Sequence, residues 1–185
     1  INVLPNIEMR LVIDPTMGDI IKAKGAGELS LRIVPEAGIF EMNGDVKISE
    51  GTYLFTLSNI INKLFTVVPG STIHWSGNPK DAEVNLDAVY STKASLSPLI
   101  GSSVQGFDTS HAVPVDCYIK LTDKLKSPTP TFDIKVPNVA PEIQTIVQSA
   151  LNDQHAIATQ MFWLLTANCF SADDTGVTGA SLSAT

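Results

Sequence analysis

The chain has 185 residues, 44% of them hydrophobic and only 17% charged, with a net charge of -7. That length suits one sizeable folded unit with an appendage. The acidic balance and the lack of any Lys/Arg cluster exclude a phosphate-tracking nucleic-acid binder and disfavour adhesion to an anionic membrane surface.

Period two dominates the chain. Ile7, Met9, Leu11 and Ile13 fall on one side of a strand, with Glu8, Arg10 and Asp14 on the other. The pattern returns as Leu29, Leu31 and Ile33, as Val46 and Ile48, and as Tyr53, Phe55 and Leu57. It returns again as Ala82, Val84, Leu86, Ala88 and Tyr90 against Glu83, Asn85 and Asp87. Val115, Cys117, Ile119 and Leu121, then Phe132, Ile134 and Val136, complete the set. Successive strand side chains point to opposite faces, so each segment is apolar on one side only. Antiparallel sheets with one wet face have this signature. Gly18, Gly38, Gly44, Gly51, Pro69-Gly70, Gly77 and Pro79 punctuate the segments and read as turns. The polar, aperiodic stretch Gly101 to His111 reads as a long loop.

After Pro137 the period changes. Pro141 suits a first helical turn, with Glu142 beside the helix N-terminus. Ile143, Ile146, Val147, Ala150 and Leu151 then share one stripe. Asn152 or Asp153 caps a second helix carrying Ile157, Met161, Leu164 and Leu165. The expected organisation is strands over 1–137, a helical cap over 138–170 and a flexible Ser/Ala tail over 171–185. No apolar run approaches the ~20 residues of a membrane-spanning helix. The opening Ile1-Asn2-Val3-Leu4 carries no initiator Met and no basic leader, and reads as cut from a longer protein.

Catalytic apparatus is not visible. His74, His111 and His155 have no second His or Cys at ligand spacing. No Gly-rich phosphate loop, nucleophile elbow or Cys-x-x-Cys occurs. Asp81, Glu83, Asn85 and Asp87 share one strand face, but hard cations are usually caged by a bent loop, so a solvated outer face is the expectation. Cys117 alternates with apolar residues and reads as a buried free thiol, while two cysteines leave the redox compartment open. The expectation is a protein that is not an enzyme, with no cofactor and no metal. On composition alone, the apolar face suggests a closed sandwich or barrel ahead of an open groove.

The order of the residues shifts that balance. The run Gly44-Asp45-Val46-Lys47-Ile48-Ser49-Glu50-Gly51-Thr52-Tyr53-Leu54-Phe55-Thr56-Leu57 resembles a segment of the TamB family. Gly70-Ser71-Thr72-Ile73-His74-Trp75-Ser76-Gly77-Asn78-Pro79, the strand ending at Tyr90, and Pro141-Glu142-Ile143 with the helix through Leu165 continue the resemblance. It covers most of residues 1–170 and departs at the Gly101–His111 loop and the Ser/Ala tail.

The resemblance implies a mainly β fold. A single long antiparallel sheet would be curled into an open apolar groove, a β-taco, with a short C-terminal helical pair. It also implies a periplasmic stretch of an inner-membrane-anchored parent, partnered by an outer-membrane barrel of the TamA type. The cargo would be phospholipid acyl chains, and the family role extends to outer-membrane protein assembly. On that reading, alternation nominates a lipid-groove lining of Ile7, Met9, Leu11, Leu29, Leu31, Phe40, Met42, Val46, Ile48, Tyr53, Phe55, Leu57, Val84, Leu86, Ile119, Ile134 and Val136. The alternatives are a chaperone-like scaffold pairing with outer-membrane strands, or a plain β-sandwich binding module. Raw strand edges also make an edge-to-edge dimer an expected partner.

Overall fold

The structure, a computed structural model, describes residues 1–5, 7–14, 18–57, 60–104 and 106–172. The tail expected from residue 171 lies outside them beyond residue 172. The strands are β1 (Asn2–Val3), β2 (Glu8–Asp14), β3 (Asp19–Val34), β4 (Ile39–Leu57), β5 (Ile61–Val67), β6 (Thr72–Gly77), β7 (Glu83–Ser95), β8 (Ser103–Val104), β9 (Phe107–Asp108), β10 (Ala112–Thr122) and β11 (Thr129–Lys135). The helices are α1 (Ser97–Ile100), α2 (Pro141–Ala150) and α3 (Gln154–Ala167). Nine strands form one sheet, and β8 and β9 form a small hairpin of their own. The chain is therefore mainly β, with one large antiparallel sheet and short C-terminal helices.

The described chain falls into two compact units, Ile1–Val89 with Lys120–Pro130, and Tyr90–Ile119 with the residues from Thr131 onward. The first unit is built on the long β3–β4 hairpin, closed by a 3-10 turn at Pro35–Ala37 and Gly38 at φ 63°. β1 and β2 pair successively along the outer edge of β3, while β5 and β6 pair with different parts of β4.

Two glycines expected at turns lie inside β4 instead. Gly51 sits in the ladder opposite Ala23, and Gly44 opposite Leu29. Gly44 has φ 135°, and a Cβ there would strike the Glu28 carbonyl oxygen. A Cβ on Gly27 would strike the Asp45 carbonyl oxygen in the same way. Glycine is needed because the two backbones approach too closely for a side chain.

Between them lies a bulge. Lys24 faces Glu50 but Gly25 faces Ile48, leaving Ser49 as an extra residue. One extra residue reverses the alternation. Val46 and Ile48 therefore share a face with Tyr53 and Phe55 along one unbroken 19-residue strand.

In the second unit the strand order runs β7-β10-β11. β10 buries Val115, Cys117 and Ile119, β11 buries Phe132 and Ile134, and Val136 just beyond its end keeps the two-residue spacing. α2 buries Ile143 and Val147; α3 buries Ile157, Met161, Leu164 and Leu165. Asp153 caps α3 as its sequence position suggested, accepting the Ala156 N–H at 2.8 Å. The next residue reaches back to the sheet. Gln154 accepts the Phe132 N–H at 3.3 Å and donates to the Phe132 carbonyl at 3.2 Å, as a neighbouring strand would. The Gly101–His111 stretch is not structureless: it holds the β8–β9 hairpin, with buried Thr109 donating its hydroxyl to the Gly101 carbonyl.

Candidate functional site: one apolar face of the sheet

Register places the nominated residues of the first unit in rows across the strands, because directly opposed residues share a face. Leu11, Ile21, Tyr53 and Phe65 form one row; Gly27, Val46, Ile73 and Val84 form another. Toward the hairpin tip follow Leu29, Gly44 and Trp75, then Leu31, Met42 and Gly77, then Ile33 and Phe40.

Exposure is graded along this face. Val46, Ile48, Tyr53, Phe55, Val84 and Leu86 are buried by the chain itself. Met9, Leu11, Leu29, Met42 and Leu57 are half-buried. At the tip Leu31 is 37% exposed, Phe40 51% and Ile33 60%; near the start of the chain Ile7 is also exposed. In the second unit Ile119, Ile134 and Val136 are buried.

The buried end is held by an aromatic cluster. The Phe55 and Phe65 rings meet edge-on at 6.0 Å, with Tyr53 6.1 Å from Phe55. The Tyr53 hydroxyl donates to Asp19 Oδ2 at 3.1 Å, and Asp19 Oδ1 accepts the Thr56 N–H at 2.7 Å. Burial first, then the Asp19 charge and hydrogen bond, push the Tyr53 hydroxyl far above its ordinary titration range, so it is a permanent donor. Half-buried Lys63 stands on this face opposite Phe55. Alternation with Ile61 and Phe65 could have found it, yet β5 was not read as a strand.

The opposite face is wet and ionic. Lys24 and Glu50 pair at 2.7 Å beside the bulge, their hydrogen bond raising the lysine pKa and lowering that of the glutamate. His74 meets Asp45 at 2.7 Å, and Lys120 lies 3.9 Å from Asp87. A cleft of about 510 Å³ lies among Thr72, His74, Glu83, Asn85, Asp123 and Lys124. Glu83 and Asn85 point outward from β7, whereas Asp81 belongs to a 3-10 turn and leaves the row. One apolar row interrupts this face: Val12, Ile20, Leu54 and Leu64 oppose one another across four strands. Among the described residues, no group of three His, Cys, Asp or Glu is placed to hold a metal ion.

A model of the TamB C-terminal domain family matches residues 1–184. The chain belongs to the TamB family. No curated protein and no solved structure matches it. As a TamB domain it takes part in the translocation and assembly module, with an outer-membrane partner of the TamA type, and belongs to a periplasmic, envelope-associated protein. The TamB domain family is a non-enzymatic one. No helix among the described residues is long and apolar enough to cross a membrane.

Proposed function

We propose that this TamB domain shields lipid acyl chains on the apolar face of its sheet, without catalysing a reaction. It thereby serves lipid passage to the outer membrane and supports outer-membrane protein assembly, as part of an inner-membrane-anchored parent. The observation that carries the reading is the graded exposure of one face. Buried Val46, Ile48, Tyr53 and Phe55 make a rigid dry floor, and Leu29, Leu31, Ile33, Phe40 and Met42 open it to solvent at the hairpin tip.

The span from Leu29 to Ile33 is about 13 Å of strand. An acyl chain laid along it covers on the order of ten methylenes, each worth ~0.8 kcal/mol before the cost of ordering the chain. Such a surface recognises hydrocarbon without any special residue, and the headgroup stays in water.

Native mass spectrometry with added phospholipid tests it. Ile33→Asp and Phe40→Asp abolish lipid adducts, whereas Val12→Asp, an equally exposed apolar position on the other face, retains them. Circular dichroism confirms the fold of all three. Adducts that persist in the two tip variants would sink the proposal. Phe55→Asp is the wrong probe, because it buries a charge beside Tyr53 and Phe65 and unfolds the floor.

A further inference from the structure

One edge of β11 faces a helix rather than a strand. The Gln154 amide occupies that edge at Phe132, accepting its N–H at 3.3 Å and donating to its carbonyl at 3.2 Å. Backbone groups of every second residue leave a strand on the same side, so those of Ile134 point to the same edge as those of Phe132. Val136 continues the spacing, since a residue before proline favours extended backbone. After Pro137 the chain turns, and α2 carries it back until Gln154 stands level with Phe132. A cavity of about 350 Å³ lies between strand edge and helix, with Ile134 and Val136 on one side and Val147, Gln148 and Leu151 on the other.

We propose that this groove takes a short extended segment of another polypeptide, added as a strand to the edge of β11, with aliphatic and basic side chains in alternation. Gln154 already shows the chemistry of the occupant, because one amide there both donates and accepts as a strand residue does. The next amide along belongs opposite Ile134, antiparallel like the rest of the sheet. A residue directly opposite Ile134 shares its apolar face, which calls for an aliphatic side chain near Val147. Its neighbours point to the solvent face, where the groove is rimmed by Asp116, Asp133 and Lys135. Lys135 is 3.7 Å from Asp133 and lies over the Tyr118 ring at 4.8 Å, so two carboxylates stand against one ammonium and favour a cationic neighbour.

Other occupants fit less well. Hydrocarbon cannot satisfy the N–H and C=O of Ile134. A second copy cannot insert its own β11, which carries β10 on one side and α2 along the other. Residues 173–185 include Asp173 and Asp174 and no Lys or Arg, the wrong charge for this rim. The groove belongs to the second unit, and the inference stands apart from acyl binding in the first.

The test uses the full 185-residue chain, isotopically labelled, with a capped hexapeptide alternating lysine with valine. The expected result is that amide exchange at Ile134 slows tenfold or more at saturating peptide. The same peptide, N-methylated at its valines, keeps its charge and gives no protection. Gln148→Trp, which fills the groove from an exposed helix position, abolishes the protection, and Asp133→Lys, which reverses the rim charge, weakens peptide binding tenfold or more. Circular dichroism confirms the fold of both variants. Three results would overturn the proposal. They are equal protection by the N-methylated peptide, no protection at Ile134 by either peptide, and an Ile134 amide protected without peptide that is released when residues 173–185 are removed.

Discussion

Gly44 and Gly77 form a matched pair for testing why the β3–β4 hairpin is built with glycine. Both lie in the β4–β6 ladder, with Gly44 opposite Trp75 and Gly77 opposite Met42. Their φ angles are close, 135° and 126°. An alanine at either position bears the strain of a conformation essentially reserved for glycine, about 1–3 kcal/mol. Only at Gly44 does the added Cβ meet another backbone: the Glu28 carbonyl oxygen, with the Leu29 Cα 3.2 Å away, whereas Gly77 has nothing within 4 Å. Relieving that clash forces β3 and β4 apart, at an overpacking cost of about 1–3 kcal/mol. Gly44→Ala is therefore expected to be less stable than Gly77→Ala by about 2 kcal/mol. For a chain of this size, that gap corresponds to ~4–8 °C in Tm. Urea unfolding followed by circular dichroism, with unchanged m-values, measures it. If the two variants lie within 0.5 kcal/mol of each other, close strand approach is not the reason for glycine at position 44.

Cys117 is fully buried and its thiol is pushed up to about 12, chiefly by burial and then by Asp116. The folded pKa lies above the unfolded one, so this contribution to stability is complete below about pH 8.5 and is lost as pH rises toward the folded value. A thiol reagent at pH 8 should count one reactive cysteine, the half-exposed Cys169, in the native chain and two in urea; two in the native chain would contradict the burial. Gln154→Ala removes both bonds that bracket Phe132. At ~1 kcal/mol per net bond, the Phe132 amide should exchange roughly fivefold or more faster, and an unchanged rate would show that the side chain does not guard that backbone.

Much of the architecture follows from side-chain order alone. The alternation Ala82, Val84, Leu86, Ala88 against Glu83 and Asn85 specifies which side of β7 is buried, because the period of a strand leaves no freedom once one face is dry. The stripe from Ile143 to Val147 and the cap at Asp153 specify α2 and α3 equally locally. The run from Val46 to Phe55 is different. Its parity reverses, and Gly51 looks like the turn that would explain it, yet the register against β3 makes it one strand with a bulge at Ser49. Strand β5 hid for a related reason: it has only seven residues, and Lys63 interrupts the apolar row of Ile61, Phe65 and Val67.

Within a stretch free of bulges, side-chain order decides which residues share a face, since that depends only on neighbours along the chain. Whether a residue on that face is floor or opening depends on neighbours across it. Phe40 and Phe55 belong to the same apolar face of the same strand; one is half open to water, and the other is packed against Tyr53 and Phe65. The difference lies in what the tertiary structure brings over each.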